Sequence, residues 1–246
     1  MDEINILLEL RTADEAAYRA RERALRRQIA NVSHDLRTPL TSILGYLQLL
    51  EGDALSDEER ARYLAVVESR AKVLQELITS FYDLSRLEAG EYPIAREPVD
   101  LREVVSGLLA AFYEDLERKF TVTVDIPDVL PPVWGDKAAL GRVYTNLVRN
   151  ALEHGGNTLS VVLRAASGGV ESVFENGGAD LADEDVPHVF DRFFTSDKSR
   201  TGRNTGLGLA IVKTLTDQMG GTAGAGLERD RFRVTLTWKA APAVRM

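Results

Sequence analysis

The chain has 246 residues with 38 Asp and Glu against 30 Lys and Arg, a net charge of -8, 44% hydrophobic residues and no cysteine. The acidic balance (pI near 5.1) argues against nucleic-acid binding, and without cysteine neither a disulfide nor a thiolate metal site can form. Its length allows one or two domains, and no apolar run reaches the roughly 20 residues that span a bilayer.

The first predicted element is a long helix. Tyr18 to Gln28 carries five arginines interspersed with Glu22, the pattern of a solvated, salt-bridged face and of a helix entering from an upstream input. From Ile29 onward, Ile29, Val32, Leu36, Leu40, Ile43, Leu47 and Leu50 recur every three or four residues and trace one apolar stripe. His34 lies off that stripe, among Ala30, Arg37, Thr38 and Thr41, where its imidazole is reachable from water. Asp35 follows it and can hold one ring nitrogen as the N–H donor, leaving the other nucleophilic. Thr38 is one turn on, able to place a water, and Pro39 removes the hydrogen bond to the Asp35 carbonyl, so a bend is expected there.

A turn near residues 51–56 follows, with Ser56 as N-cap and Glu59 completing a capping box. The second helix has its own stripe: Leu64, Val67, Ala71, Leu74, Ile78, Phe81 and Leu84. A lone hairpin buries one side of each stripe, so a second copy completing a four-helix bundle, a homodimer, is the expectation. Residues 91–99, with Pro93 and Pro98, read as a linker.

Beyond it, helix and strand alternate: a helix over 100–118, a strand over 120–126, a helix over 137–154, strands over 159–165 and 170–175, a helix over 207–220 and a hairpin of 222–227 with 231–238. Strands covered by helices on one face make an α/β sandwich. Asn146 and Asn150, four apart, share a helix face and offer neutral oxygens suited to magnesium with ATP phosphates. Glu175 at a strand end before a glycine turn could accept from an adenine amino group. Gly206 and Gly208 stand at a helix start, where free N–H groups and the helix dipole favour phosphate.

His34-Asp35-Leu36-Arg37-Thr38-Pro39, Asn146 to His154, Glu175 to Ala179, Phe190 to Phe194 and Thr205 to Leu209 resemble, in order, the H, N, G1, F and G2 boxes of bacterial two-component sensor histidine kinases. The resemblance runs from about residue 25 to 239. It implies a helical hairpin forming a dimeric four-helix bundle (α), followed by a GHKL-type α/β sandwich that binds ATP. The implied plan is a signalling helix over 1–24, a dimerisation and phosphotransfer domain over 25–90, a linker over 91–99, an ATP-binding domain over 100–240 and a tail over 241–246.

It implies that His34 is the phosphoacceptor, with Asp35 as base or orienting group, Arg37 in the same box, and Thr38 positioning water for dephosphorylation. The implied nucleotide residues are Asn146, Asn150, His154, Glu175, Gly177, Phe190, Lys198, Arg200, Thr205, Gly206, Leu207 and Gly208, with Mg2+ at Asn150. The implied partner is the receiver aspartate of a response regulator. Localisation is expected to be cytoplasmic as given, with a membrane link only through a possible N-terminal region outside this sequence. Four positions depart from the boxes: Glu175 replaces aspartate, Ala179 and Asn204 replace glycines, and Glu153 replaces lysine. The alternatives are a dimeric scaffold or phosphatase-dominant protein with a weakened nucleotide site, and a GHKL ATPase of another kind.

Overall fold

The computed structural model describes residues 2–51, 55–195 and 206–242. These fall into two compact units, residues 1–77 and 78–246. Among the described residues no helix is long and apolar enough to cross a membrane.

The first unit is the helical hairpin. Helix α1 (Asp2–Leu50) continues through Pro39 without interruption. Around the proline the backbone loses one donor, while the Thr38 hydroxyl bonds back to the His34 carbonyl at 3.2 Å. Helix α2 (Asp57–Glu88) opens with three acids, favourable against the positive end of its dipole. Its capping box forms as expected: Glu59 N–H donates to Ser56 Oγ at 3.2 Å, and Ser56 N–H donates to Glu59 Oε2 at 3.0 Å. The helices meet at Tyr46 and Tyr63, whose rings stand 5.5 Å apart. Much of the predicted stripe stays open: Ile29 is 59% exposed, Leu40 46%, Leu47 42% and Leu64 51%. Two helices can shield only the edges they turn to each other, and the remaining apolar edge is left uncovered.

The second unit begins with the last three turns of α2. There Leu84 and Leu87 are buried, and three polar contacts fix the segment: Asp83 with Arg142 at 2.7 Å, Glu88 with Arg192, and the Leu87 carbonyl accepting from Gln218 Nε2 at 2.5 Å. The stretch read as a linker contains a short strand, β1 (Glu97–Val99), paired antiparallel with β3 (Val133–Gly135). Three-residue strands, one containing Pro98, are too short for a period-two signal. The helix expected over 100–118 is two, α3 (Leu101–Ala111) and α4 (Tyr113–Lys119), parted at Phe112 (φ -99, ψ 10).

The main sheet has the order β2-β4-β5-β7-β6, with β2 parallel to β4 and all other pairs antiparallel. Its strands are β2 (Thr121–Asp125), β4 (Thr158–Ala166), β5 (Gly169–Asn176), β6 (Thr222–Glu228) and β7 (Arg231–Lys239). Alternate residues on the three central strands are buried, among them Leu159, Val161 and Leu163 on β4, Val170 and Phe174 on β5, and Val234, Leu236 and Trp238 on β7. This face carries α5 (Lys137–His154) and α6 (Gly208–Gln218). Helix α5 is docked by a buried polar group inside the apolar layer. Trp238 Nε1–H donates to Tyr144 Oη at 2.8 Å, and the Tyr144 and Ser172 hydroxyls share a hydrogen bond of 2.9 Å. Burial pushes the Tyr144 phenol far above its ordinary pKa, so it stays a neutral hydroxyl.

Candidate functional site

The phosphoacceptor candidate stands on the first unit. His34 is exposed on α1, and its Nδ1 lies 3.1 Å from Asp35 Oδ1. A carboxylate can only accept, so Nδ1 carries the proton and the lone pair sits on Nε2. The Asp35 side chain is 12% exposed against 58% for the imidazole, so the orienting group is sheltered while the nucleophile is open. Thr38 and Arg37 are exposed beside it.

The nucleotide candidate stands on the second unit, around α5. Asp136 caps this helix, its carboxylate accepting from Ala139 N–H at 2.9 Å. Leu140, Val143, Tyr144, Leu147, Val148 and Ala151 are buried, which leaves Asn146, Asn150 and His154 along a half-buried flank. Asn146 Nδ2 donates to the Arg142 carbonyl at 2.8 Å. That turns its oxygen toward the start of α6, where a Cβ added to Gly208 would stand 3.3 Å from Asn146 Oδ1. Asn146 and Gly208 are therefore neighbours, and Leu207, buried before Gly208, has no polar side chain to cap the helix. The Asn150 amide makes no hydrogen bond to another described residue.

The F-box and G2-box segments are locked together. Phe193 is buried, has φ 61, and donates its N–H to the Gly206 carbonyl at 2.8 Å. Gly206 also has positive φ, and a Cβ there would lie 2.7 Å from the Phe193 backbone, so only glycine fits. Phe190 is half-buried one turn earlier. Lys198, Arg200 and Thr205, with Asn204, lie outside the described residues.

Glu175 does not join this group. On β5 the buried positions after Gly169 are Val170, Ser172, Phe174 and Asn176, so Glu175 projects from the opposite face of the sheet, away from α5. There its carboxylate accepts from Arg233 Nε at 2.7 Å and from Arg231 Nη1 at 3.2 Å. Burial raises its pKa, but the hydrogen bonds from Arg233 and then Arg231 more than reverse this and hold it below the usual carboxylate range.

The strand-end residue on the helix face is Asn176. It is 5% exposed. The turn after it confirms this register. Gly178 is the left-handed residue (φ 68), packed so that a Cβ would meet Gly156 Cα at 2.8 Å, and Ala179 is not left-handed. The alanine at 179 is therefore no impediment to the turn. At Gly177 a Cβ would meet Thr158 Oγ1 at 2.5 Å. Period-two alternation from Phe174 is the sequence signal that singles out Asn176.

Comparison with known proteins agrees with this two-part arrangement. The profile of the His Kinase A (phospho-acceptor) domain matches residues 24–90, and that of the histidine kinase-, DNA gyrase B- and HSP90-like ATPases matches residues 135–242. The chain is 32% identical over 242 residues to the sensor histidine kinase YcbM of Bacillus subtilis, covering 95% of this chain and 78% of that protein. It spans 22% to 63% of the length of seven other sensor kinases that it matches. Among solved structures it resembles the Acinetobacter baumannii histidine kinase AdeS, with a TM-score of 0.70 at 26% identity over 84% of this chain and 98% of that one. It also resembles full-length ShkA in complex with AMPPNP, with a TM-score of 0.63 at 27% identity over 88% of this chain and 47% of that one. The chain belongs to the two-component sensor histidine kinases, ATP-dependent enzymes that phosphorylate a histidine, with a phospho-acceptor hairpin and an ATPase-type domain in one polypeptide.

Proposed function

We propose that His34 takes the γ-phosphoryl group of ATP on Nε2. The new N–P bond forms as the bond from the γ-phosphorus to the β,γ-bridging oxygen breaks, and ADP leaves. The observation that carries this is the Asp35 carboxylate on Nδ1 of an exposed imidazole, which leaves Nε2 as the nitrogen that carries the lone pair. Such transfers depend on positioning and charge stabilisation more than on covalent help from the protein. Asp35 supplies the positioning and stabilises positive charge developing on the ring, and Arg37 adds a nearby cation.

On the nucleotide side Asn146, Asn150, His154, Phe190 and the backbone of Gly177, Gly206, Leu207 and Gly208 hold ATP, with the phosphates at the start of α6. The residues present fit magnesium in a limited way. Asn150 offers one neutral oxygen not engaged by described residues, and among these residues no cluster of three His, Cys, Asp or Glu competes for the ion. Mg2+ generally keeps water and phosphate oxygens as most of its ligands, and bound there it would neutralise phosphate charge. Glu175 takes no part in this reading; it ties β5 to β7.

The phosphoryl group then passes to the aspartate of a response regulator receiver. Thr38, whose hydroxyl hydrogen is directed at the His34 carbonyl, keeps lone pairs to orient water for the reverse, dephosphorylating role. The exposed leucines of α1 and α2 pair with those of a second copy, giving a homodimer. A membrane connection would come through sequence N-terminal to α1.

Incubation with radiolabelled ATP and Mg2+ tests this reading. Acid-labile label is expected on the wild type and lost in His34→Gln; label that survives in the His34→Gln chain contradicts it.

A further inference from the structure

Helix α5 stops at a glycine that does not cap it. Gly155 is extended (φ -75, ψ 151) and not left-handed, so no glycine cap returns backbone N–H groups to the last carbonyls. Gly155 N–H still reaches the Ala151 carbonyl at 2.7 Å, but the next amide leaves the helix. Gly156 N–H, which a continuing helix would give to the Leu152 carbonyl, donates instead to the Gly177 carbonyl at 2.6 Å. A Cβ added to Gly156 would stand 3.0 Å from Gly177 O and 3.1 Å from Gly178 Cα, so the two glycine segments pack backbone to backbone. The Leu152 carbonyl takes its hydrogen bond from the Lys119 ammonium.

Lys119 is itself held in place. It is the last residue of α4, and Phe120 after it is 7% exposed and donates its N–H to the Leu116 carbonyl at 2.8 Å. Thr121 N–H then donates to the Asn157 carbonyl at 2.7 Å, just beyond the two glycines. The ammonium stands 5.3 Å from the centroid of the Phe120 ring, and that ring lies 3.1 Å from a Cβ built on Gly155. A cation on the last carbonyls of a helix satisfies an acceptor and opposes the negative end of the dipole. Leu152 lies about 200° around the helix from His154. The lysine therefore meets the helix end from α4, and not from the flank that carries Asn146, Asn150 and His154.

The arrangement is an exchange of donors. Without the ammonium, the half-sheltered Leu152 carbonyl competes with Gly177 for the Gly156 amide. Recapture of that amide would wind α5 one residue further and draw Gly156 away from Gly177. Two parts of the nucleotide site would shift together, the last turn of α5 with His154 and the backbone of Gly177.

We propose that Lys119 is a positioning residue of the nucleotide site: its ammonium replaces the Gly156 amide at the Leu152 carbonyl and so frees that amide to hold Gly177 beside the end of α5. This rests on the ATP-binding reading above.

The test is calorimetric titration of the full chain with ADP and Mg2+, together with initial rates of autophosphorylation over a range of ATP concentrations. Lys119→Met keeps the stem and removes the donor, and it should weaken ADP by about three- to tenfold. The KM for ATP should rise by the same factor, while the rate at saturating ATP stays within about twofold, because the lysine touches no reacting atom. Lys119→Arg restores a charged donor and should bring the affinity back to within about twofold of wild type. Should Lys119→Met fail to fold, Lys119→Gln takes its place; its donor is uncharged and one bond shorter, and the same loss is expected. A folded Met or Gln variant with unchanged ADP affinity overturns the inference, as does a variant that lowers the saturated rate and leaves KM alone, or an arginine no better than methionine. If the wild type itself binds no ADP, it is the ATP-site reading that falls, and the inference with it.

Discussion

Replacing Glu175 by glutamine separates an anchoring role from a nucleotide-contacting one. The carboxylate is 13% exposed and sits between Arg231 and Arg233, with contacts at 3.2 and 2.7 Å. Two charge-assisted hydrogen bonds of this kind are each worth about 1.5–3 kcal/mol when sheltered. Both arginines are about half exposed, at 64% and 48%, and regain water when the charge is removed. The net loss at neutral pH should therefore be nearer 1–2 kcal/mol. For a domain of this size that lowers the unfolding midpoint by about 2–8 °C. The pH dependence has a definite sign. Because the folded pKa of Glu175 is depressed, its contribution is present above the ordinary carboxylate range and disappears as pH falls through the folded value. The difference between wild type and Glu175→Gln should be full at pH 7 and shrink in acid, below about pH 4. Thermal unfolding followed by circular dichroism across that range, with ADP affinity measured on the same samples, reads both effects. Affinity that falls tenfold while the midpoint stays fixed would refute the assignment and return Glu175 to the nucleotide site.

Three further outcomes follow from individual contacts. Asp35→Asn removes the charge that fixes the Nδ1 proton of His34, and a loss of about 1.5–3 kcal/mol slows labelling by roughly ten- to a hundredfold; initial rates within twofold of wild type would show that Asp35 is not the orienting group. Tyr144→Phe deletes the buried hydroxyl between Ser172 and Trp238. Since Trp238 Nε1 keeps Ser172 Oγ at 3.3 Å as a second acceptor, the cost should be about 1–2 kcal/mol in denaturant unfolding, and no change would mean the group is not holding α5 to the sheet. Gly206→Ala must accept a left-handed alanine, about 1 kcal/mol, together with a 2.7 Å approach to the Phe193 backbone. The unfolding midpoint and ADP affinity should fall together, and a neutral substitution would contradict the lock between the two segments.

The parts of this protein that could be read from sequence are those whose physics is local. The Ser56–Glu59 capping box needs only residues three apart, and both of its hydrogen bonds form. The two long helices and the strands of the main sheet follow from periods of 3.6 and 2, which each segment displays by itself. Reading failed where the decisive partner is remote. Strand β1 exists because Glu97–Val99 meets Val133–Gly135, and nothing in either triplet announces the other. The left-handed Phe193 donates its N–H to the carbonyl of Gly206, a partner thirteen residues away in sequence. Glu175 is the instructive case, because strand alternation and not motif position decides which side chain faces α5. A strand side chain has only two directions. Phe174 is an obvious core residue, so Asn176 shares its side and Glu175 cannot. A shift of one residue along the strand thus exchanges an amide on the helix-covered face for a carboxylate that two arginines already hold. Two residues adjacent in sequence carry separate tasks, one beside the end of α5 and one joining β5 to β7, and the pleat of the strand keeps them apart.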